Sequence, residues 1–256
     1  MGILNVTPDS FYDGGAYPDA CRMLQRCETM LEEGADWIDV GGCSTRPGST
    51  PVDADGEWRR VEAALRVIRP HFPDARISVD TFRAEVAQRA VTEFGVAMVN
   101  DVSGGWDGRM LETVARLKVA YVLSHHPLSE DASETVLPVV ERVKAFFARR
   151  IPQVRRLGIG PLWIDPGFGF GKSMEDNYRL LRHLDTLSET DVPVLVGLSR
   201  KSMVYRALQT SPDEALYGTL ALETLALAHG ARMLRVHDVK AAADCVKVFE
   251  KYASLS

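Results

Sequence analysis

The sequence predicts an α/β fold, a single parallel (β/α)₈ barrel (TIM barrel) spanning residues 1–256 as one domain. Eight short apolar segments alternate with segments of helical period, and no long linker separates them. The apolar segments are continuous rather than alternating, as in strands buried on both faces. Polar residues follow almost every strand, and a barrel gathers strand ends at the face where its active sites lie. An open doubly wound sheet is the alternative.

The predicted strands are bounded by glycine, proline and polar residues. The first helical segment stops at Gly34, so the second strand begins soon after it. Pro166 ends the sixth strand, because proline has no N–H for the sheet ladder. We place the strands at 3–6, 37–40, 76–80, 97–100, 119–123, 162–165, 194–197 and 233–236.

Helices are predicted between these strands from apolar residues that recur with a period near 3.6. The segment 137–157 is the longest and is amphipathic. The full set is 19–33, 54–69, one ending near 94, 108–117, 137–157, 174–187, 212–229 and one ending near 252.

Composition limits the partners that the chain can have. It is 46% hydrophobic and 25% charged, which is ordinary for a soluble globular protein. A net charge of −5 argues against a nucleic-acid surface, and no apolar run approaches the ~18–20 residues of a membrane span. We therefore expect neither nucleic acid nor a membrane as a partner.

The location expected from the sequence is the cytoplasm. The chain opens on a strand-like segment rather than a secretory signal. Its four cysteines form no Cys-x-x-Cys pair, which suggests neither a zinc site nor a redox motif. They are Cys21, Cys27, Cys43 and Cys245.

The segment 162–172 has the most informative pattern in the chain. A buried strand ends in a carboxylate, Asp165, and glycines then alternate with phenylalanines. Glycine permits close backbone approach and phenylalanine covers a flat apolar object, so the segment predicts a floor for a planar ligand. Pro166 and Lys172 stand where a Walker A loop and a dinucleotide fingerprint, respectively, need glycine, so both motifs are excluded. A glycine-rich turn without a ligand is the alternative.

One group of strand-end residues carries acids and an amide, namely Asp80, Asn100 and Asp165. A ligand edge with adjacent N–H donors would pair such a carboxylate through two hydrogen bonds. The alternative is that Asp80 and Asp165 form internal ion pairs with Lys201 or Arg235.

A second group is suited to anions. Arg46, Arg235 and His237 can bind a phosphate or carboxylate, and residues 199–202 form a possible second anion subsite. The chain has no serine–histidine nucleophile pattern and no zinc spacing, and His125 and His126 are adjacent and make a poor metal pair. We therefore expect catalysis by positioning and electrostatics.

Seven motifs, in order along nearly the whole chain, resemble those of the dihydropteroate synthase family. They lie at 1–11, 39–48, 78–81, 100–104, 165–172, 199–202 and 235–238. The resemblance implies a (β/α)₈ barrel that joins 4-aminobenzoate to 7,8-dihydropterin-6-ylmethyl diphosphate with the help of Mg²⁺. It also implies a homodimer and a target for sulfonamides. Because diphosphate is a good leaving group and the pterin can stabilise positive charge on the methylene carbon, we favour an SN1-like displacement.

The resemblance also implies a role for each matching residue. The pterin would contact Asp80, Asn100, Asp165, Phe170 and Lys201. The aminobenzoate pocket would comprise Phe11, Thr45, Pro47 and Ser199. The diphosphate would contact Asn5, Arg46, Arg235 and His237, with Asn5 also contacting Mg²⁺. Lys201, Asp13 and Arg46 would be the catalytic residues, with Asp13 stabilising a cationic methylene.

Three departures from the family pattern are visible. No segment precedes the first strand, Cys43 replaces an acidic or amide residue, and residues 124–129 replace a histidine-methionine-x-glycine segment beside the pterin site. The last departure leaves open a pterin-binding paralogue with a scaffold or regulatory role. A pterin-dependent methyltransferase is a further alternative, although it would lack the loop 44–48 and the Arg235-x-His237 pair.

Overall fold

The computed structural model describes residues 1–7, 19–43 and 52–255. Within them lie eight strands, and each pairs in parallel with the next along the chain. The strands are β1 Gly2–Asn5, β2 Ile38–Gly41, β3 Ile77–Asp80, β4 Met98–Asp101, β5 Ala120–Ser124, β6 Leu162–Asp165, β7 Val194–Val196 and β8 Ala231–Leu234.

The sheet closes on itself just beyond β8. Val236 forms a parallel bridge with Gly2. The Ile3 amide donates to the Val236 carbonyl at 2.9 Å, and the Val236 amide donates to the Met1 carbonyl at 3.0 Å. The (β/α)₈ barrel is therefore confirmed, and the open doubly wound alternative is wrong.

The helices return the chain from the carboxyl end of each strand to the amino end of the next. They are α1 Ala20–Glu32, α2 Ala54–His71, α3 Ala84–Phe94, α4 Met110–Leu117, α5 Val139–Arg156, α6 Met174–Arg182, α7 Ser202–Ala207, α8 Leu216–Ala228 and α9 Val239–Ala253. Short 3₁₀ turns occupy Pro127–Ser129, Leu184–Thr190 and Pro212–Glu214. None of these described helices is both long and apolar enough to cross a bilayer.

Two predicted helices are shorter than expected. The segment predicted as 174–187 leaves the α-helix after Arg182 and continues as a 3₁₀ turn. The segment predicted as 212–229 begins with a 3₁₀ turn at Pro212, and α8 starts only at Leu216. Helix α7 was missed because six residues are too few to show a helical period.

Strand side chains alternate between two apolar layers. Tyr121 and Leu123 of β5 face the core between the barrel and its helices. Val122 faces a second cluster inside the barrel, which also contains Met1, Met98, Ala120 and Leu195. The period-2 alternation of a strand therefore points Ser124 into the barrel at its carboxyl end. Asp165 points the same way, because Ile164 faces the outer core.

A cap fixes the start of α6 immediately after the glycine-rich segment. Ser173 Oγ accepts from the Asp176 amide at 3.0 Å, and Asp176 Oδ2 accepts from the Ser173 amide at 3.3 Å. This reciprocal arrangement is a capping box, and a cap of this kind typically contributes about 1 kcal/mol. The capping box therefore fixes Ser173 as the point where the glycine-rich segment after Asp165 gives way to α6.

Candidate active site

Arg235 crosses the barrel mouth between two carboxylates. Its Nε lies 2.6 Å from Asp39 Oδ2, and its Nη2 lies 2.6 Å from Asp80 Oδ2. The three residues come from β2, from β3 and from just after β8, so barrel closure is what brings them together. The internal ion pair left open for Asp80 is therefore present, and its partner is Arg235.

The charges in this cluster do not balance, since one guanidinium faces two acids. Burial raises the pKa of Asp80 to about 7, and repulsion by Asp39 adds to the increase although Arg235 opposes it. The same carboxylates outweigh burial and raise the pKa of Arg235 above its usual value. A ligand that offers further N–H donors would relieve the excess negative charge.

Several buried oxygens in the barrel lack hydrogen-bond partners among the described residues. Asn100 is 1% exposed, and its Nδ2 donates to Asp39 Oδ2 at 3.0 Å while its Oδ1 stays unpaired. Buried polar atoms are rarely left unpaired in native proteins, so these oxygens mark a place where a polar ligand or water is expected. The atoms are Asp39 Oδ1, Ser78 Oγ, Asn100 Oδ1 and Ser124 Oγ.

Asp165 is buried at the end of β6, and the backbone after it folds back onto its carboxylate. The Gly167 amide donates to Asp165 Oδ1 at 2.8 Å. Gly167 has a φ of 68°, and a Cβ there would overlap the His125 carbonyl oxygen. Glycine is therefore required for this turn. The turn holds the Asp165 carboxylate, which the sequence analysis predicts to lie beside a planar ligand.

Lys201 reaches the same segment from the loop after β7. Its ammonium donates to the Phe168 carbonyl and lies 5.0 Å from the centre of the Phe170 ring. Burial lowers the pKa of Lys201 to about 8, although the negative charge of Asp165 opposes the decrease. Lys201, Phe170 and Asp165, which the resemblance groups as pterin contacts, lie close together in the structure.

Ser199 and His237 are in direct contact. Ser199 Oγ lies 2.9 Å from His237 Nδ1, and the His237 amide donates to Ser199 Oγ at 3.2 Å. Arg200 holds the next residue, because its Nε and Nη2 lie 3.0 and 2.8 Å from the two oxygens of Asp238. The residues predicted for aminobenzoate and for diphosphate are therefore neighbours.

Asn5 lies at the end of β1, beside the acidic cluster. A Cβ placed on Gly41 would be 3.7 Å from Asn5 Oδ1 and 3.5 Å from Asp80 Oδ2, so the two oxygens flank this glycine. In residues 1–7, 19–43 and 52–255, no group of three or more His, Cys, Asp or Glu side chains could hold a metal ion.

Comparison with known proteins identifies the family of the chain. A family model described as "Pterin binding enzyme" matches residues 1–237. The chain belongs to the pterin-binding enzyme family.

Relatives within this pterin-binding family are similar over nearly their whole length. A dihydropteroate synthase of Streptococcus pyogenes is 41% identical over 98% of this chain and 94% of the relative. The Xanthomonas albilineans dihydropteroate synthase solved with 4-aminobenzoic acid is 42% identical, covers 99% of this chain and 92% of its own, and has a TM-score of 0.90. The same enzyme solved with 7,8-dihydropteroate is 40% identical over the same shares, with a TM-score of 0.85.

Five of the residues expected to act in this pterin-binding enzyme lie outside the described residues. They are Phe11, Asp13, Thr45, Arg46 and Pro47. The remaining nine lie at the carboxyl ends of strands or on the loops that follow. These are Asn5, Asp80, Asn100, Asp165, Phe170, Ser199, Lys201, Arg235 and His237.

One buried acid and one partly buried base of this pterin-binding enzyme were given no role from the sequence. Asp39 was placed in an apolar strand and at the start of the motif 39–48, yet it binds both Arg235 and Asn100. A carboxylate inside a buried strand is itself a signal, since it is costly without a partner. Lys172 was noted only as the end of the glycine-rich segment, although it contacts that segment and His125.

Two clefts on the surface of the described residues lie away from this site. One, of about 530 Å³, lies beside Phe82, Arg83 and Trp106. The other, of about 470 Å³, lies between α5 and α6 near Lys144 and His183. We assign the chemistry to the barrel mouth, because the unpaired buried oxygens of Asp39, Ser78, Asn100 and Ser124 lie in the barrel and none of these residues lines either cleft.

Proposed function

We propose that this chain is an active dihydropteroate synthase. It joins 4-aminobenzoate to 7,8-dihydropterin-6-ylmethyl diphosphate and releases pyrophosphate. The observation that carries the proposal is the set of buried oxygens at the barrel mouth that lack partners, above all Asn100 Oδ1 and Asp39 Oδ1. An aminopyrimidinone edge presents adjacent N–H donors, which are the groups that these oxygens need.

The proposed pterin contacts are acids, an amide, a ring and a cation at one edge of the mouth. Asp165 accepts through two oxygens, of which Oδ1 already binds the Gly167 amide. The Phe170 ring packs against the flat face of the pterin. The Lys201 ammonium lies over the same Phe170 ring. The full set is Asp80, Asn100, Asp165, Phe170 and Lys201.

Pterin binding would change the role of Arg235. Without substrate its guanidinium pairs with Asp39 and Asp80. Pterin N–H donors would compete for the Asp80 carboxylate and let the guanidinium turn towards the diphosphate. The proposed diphosphate contacts are Asn5, Arg46, Arg235 and His237. Filling of the pterin site and assembly of the diphosphate site are coupled in this way.

The second substrate binds beside the diphosphate. Ser199 contacts His237 and is therefore within reach of both ligands. The proposed aminobenzoate pocket comprises Phe11, Thr45, Pro47 and Ser199. A sulfonamide, which mimics 4-aminobenzoate, would compete for this pocket.

The proposed reaction is an SN1-like displacement. The C–O bond between the methylene carbon and the diphosphate breaks, and the electron pair leaves with pyrophosphate. Asp13 stabilises the cationic methylene, and Arg235 and His237 compensate the charge of the leaving group. The neutral aromatic amine then forms the C–N bond and loses its proton, so no strong base is needed.

We also propose that Mg²⁺ accompanies the diphosphate. The Oδ1 of Asn5 lies at the mouth beside Gly41. Mg²⁺ commonly binds one or two protein oxygens, substrate phosphates and several waters, so this single protein donor fits it. When bound, Mg²⁺ would neutralise charge on the leaving diphosphate.

A homodimer is proposed from an exposed apolar surface on α8 and α9. This late-helix surface contains Tyr217 at 83% and Tyr252 at 74% exposure, together with Leu225 and Val248. The two helices pack side by side, and these side chains are exposed along them. Exposed apolar side chains on adjoining helices fit an association surface, and its two-fold use would give a closed dimer. As expected for an enzyme of folate biosynthesis, the proposed location is the cytoplasm.

The deciding experiment supplies purified protein with both substrates and Mg²⁺ and follows pyrophosphate release. Release is expected from the wild type and from Lys240→Ala, which changes an exposed lysine on α9. Pterin binding without release would instead support the non-catalytic paralogue suggested by residues 124–129.

A further inference from the structure

Lys172 donates hydrogen bonds to the glycine-rich segment that precedes it. We define this segment as residues 166–171. The Lys172 ammonium donates to the Gly167 carbonyl at 2.8 Å and to the Phe170 carbonyl at 3.3 Å. It also lies 2.9 Å from His125 Nδ1. Three acceptors on two loops therefore surround one ammonium group, which none of the roles assigned above uses.

The two carbonyls belong to the residues that set the geometry of the pterin site. The Gly167 amide binds Asp165 Oδ1 at 2.8 Å, while the Phe170 amide donates back to the Gly167 carbonyl at 3.1 Å. Lys172 thus spans both ends of the turn that connects the Asp165 carboxylate to the Phe170 ring. Removing its ammonium would leave the Gly167 and Phe170 carbonyls without this shared donor.

His125 is the third group that contacts the Lys172 ammonium. It is fully buried, and its backbone amide donates to the Asp165 carbonyl at 2.8 Å. Burial and the charge of Lys172 lower the pKa of His125 to about 2, so its ring is neutral. Its Nδ1 therefore accepts from Lys172, and the proton lies on Nε2.

The Nε2 side of the ring faces an acid. Nε2 lies 2.9 Å from Glu130 Oε1, close enough for attraction, although the two are not aligned for a hydrogen bond. Arg142 Nε lies 3.4 Å from the same oxygen. Glu130 favours a proton on Nε2, and this choice keeps Nδ1 free to accept from Lys172.

We propose that Lys172 is a positioning residue for pterin binding, which holds Asp165 and Phe170 in place with neutral His125 as its third acceptor. The inference rests on the proposed function, since it assumes that the pterin occupies the Asp165–Phe170 region. If Lys172 contributed only to stability, its removal would weaken the binding of both substrates equally. A positioning lysine affects the pterin in particular, because its contacts are confined to that side of the mouth.

The test uses two pairs of variants. Lys172→Met removes the ammonium at similar side-chain length, and Lys144→Met is the control on the exposed face of α5. His125→Asn keeps an acceptor near the Nδ1 position, whereas His125→Leu removes it. Pterin affinity is measured by calorimetry with 7,8-dihydropterin-6-ylmethyl diphosphate in the absence of 4-aminobenzoate, and KM is measured for each substrate.

Lys172→Met and His125→Leu should weaken pterin affinity by about tenfold or more, as expected when the hydrogen bonds that hold the segment are lost. The KM for 4-aminobenzoate should stay within about twofold, and His125→Asn should retain most of the wild-type affinity, since the acceptor that Lys172 needs is preserved. Unchanged pterin affinity in Lys172→Met, or equal losses for both substrates, would overturn the proposal. If Lys172→Met does not fold, equal affinity in His125→Asn and His125→Leu would overturn it.

The outcome is separable from that of the proposed function. A wild type that binds the pterin compound but releases no pyrophosphate would refute the synthase activity. The comparison of pterin affinities among the variants would still test Lys172.

Discussion

Arg235 Nη2 lies 2.6 Å from Asp80 Oδ2, and this contact joins a residue expected to bind diphosphate to one expected to bind pterin. The guanidinium also contacts Asp39, so its charge is shared between two acids. In the proposed function, each of the two side chains becomes available to its ligand only when the other is released. The pair would then link the pterin and diphosphate halves of one substrate through a single exchange of partners.

The first prediction concerns the stability provided by this guanidinium. Arg235→Met leaves Asp39 and Asp80 buried without a cation, so the free energy of unfolding at pH 8 should fall by roughly 3–5 kcal/mol. At pH 5 the loss should be smaller, because the raised pKa of Asp80, about 7, allows this acid to be protonated. Urea unfolding at both pH values measures the difference. Arg22→Met is the exposed control, and equal losses at the two pH values would contradict the charge argument.

The second prediction concerns the carboxylate of Asp165. Asp165→Ala removes a two-oxygen acceptor for the pterin edge and should weaken pterin binding by roughly 2–3 kcal/mol. Calorimetry with 7,8-dihydropteroate measures this loss, and Asp213→Ala changes a carboxylate that is almost fully exposed as the control. Wild-type affinity in Asp165→Ala would mean that this acid only supports the turn at Gly167.

The third prediction concerns the ammonium of Lys201. Lys201→Ala should abolish turnover while circular dichroism and the melting temperature remain near those of the wild type. Since burial lowers the pKa of Lys201 to about 8, its charge is present below that pH and is lost above it. The wild-type rate should therefore decline as the pH rises past about 8. A variant that still turns over would remove Lys201 from the catalytic set.

The fourth prediction concerns a buried acid on α8. Glu223 is 1% exposed, neither carboxylate oxygen has a partner among the described residues, and burial raises its pKa to about 8. The folded state thus holds the proton more tightly than the unfolded state, so stability falls as the pH rises from about 4.5 towards 8. Glu223→Leu should stabilise the protein by roughly 2–4 kcal/mol at pH 8.

The same variant should gain little at pH 5, where the acid is already protonated in the folded state. Thermal unfolding across this range, with Glu189→Leu as an exposed control, gives the two curves. Parallel curves for the wild type and Glu223→Leu would show that the acid has a partner after all.

The fold was predictable because a strand that is buried on both faces has a continuous run of apolar residues in the sequence. The sixth strand was placed at 162–165, which the structure matches, since Pro166 ends the ladder there. Strand ends also predicted that Asp80, Asn100 and Lys201 lie at one face of the barrel, because parallel strands bring their carboxyl ends to the same face. These inferences depend only on local pattern and on the direction of the chain.

The contacts within the site were not predictable in the same way. Whether Arg235 pairs with Asp39, with Asp80 or with a ligand depends on how β8 closes against β1 and on the register of β2 and β3. Lys172 and His125 are 47 residues apart, and only the packing of two loops brings them together. Periodicity describes neither closure nor loop packing, so these relationships appear only in three dimensions.

The close contact between Gly167 and the His125 carbonyl limits how the two loops can be changed, in engineering and in evolution. A side chain at Gly167 would overlap the His125 carbonyl, one at Gly171 would overlap Pro127, and the His126 and Phe170 rings lie 5.2 Å apart. The loops after β5 and β6 therefore behave as a single module. A graft of residues 125–127 from another barrel is expected to succeed only when the glycine-rich loop is transplanted with it.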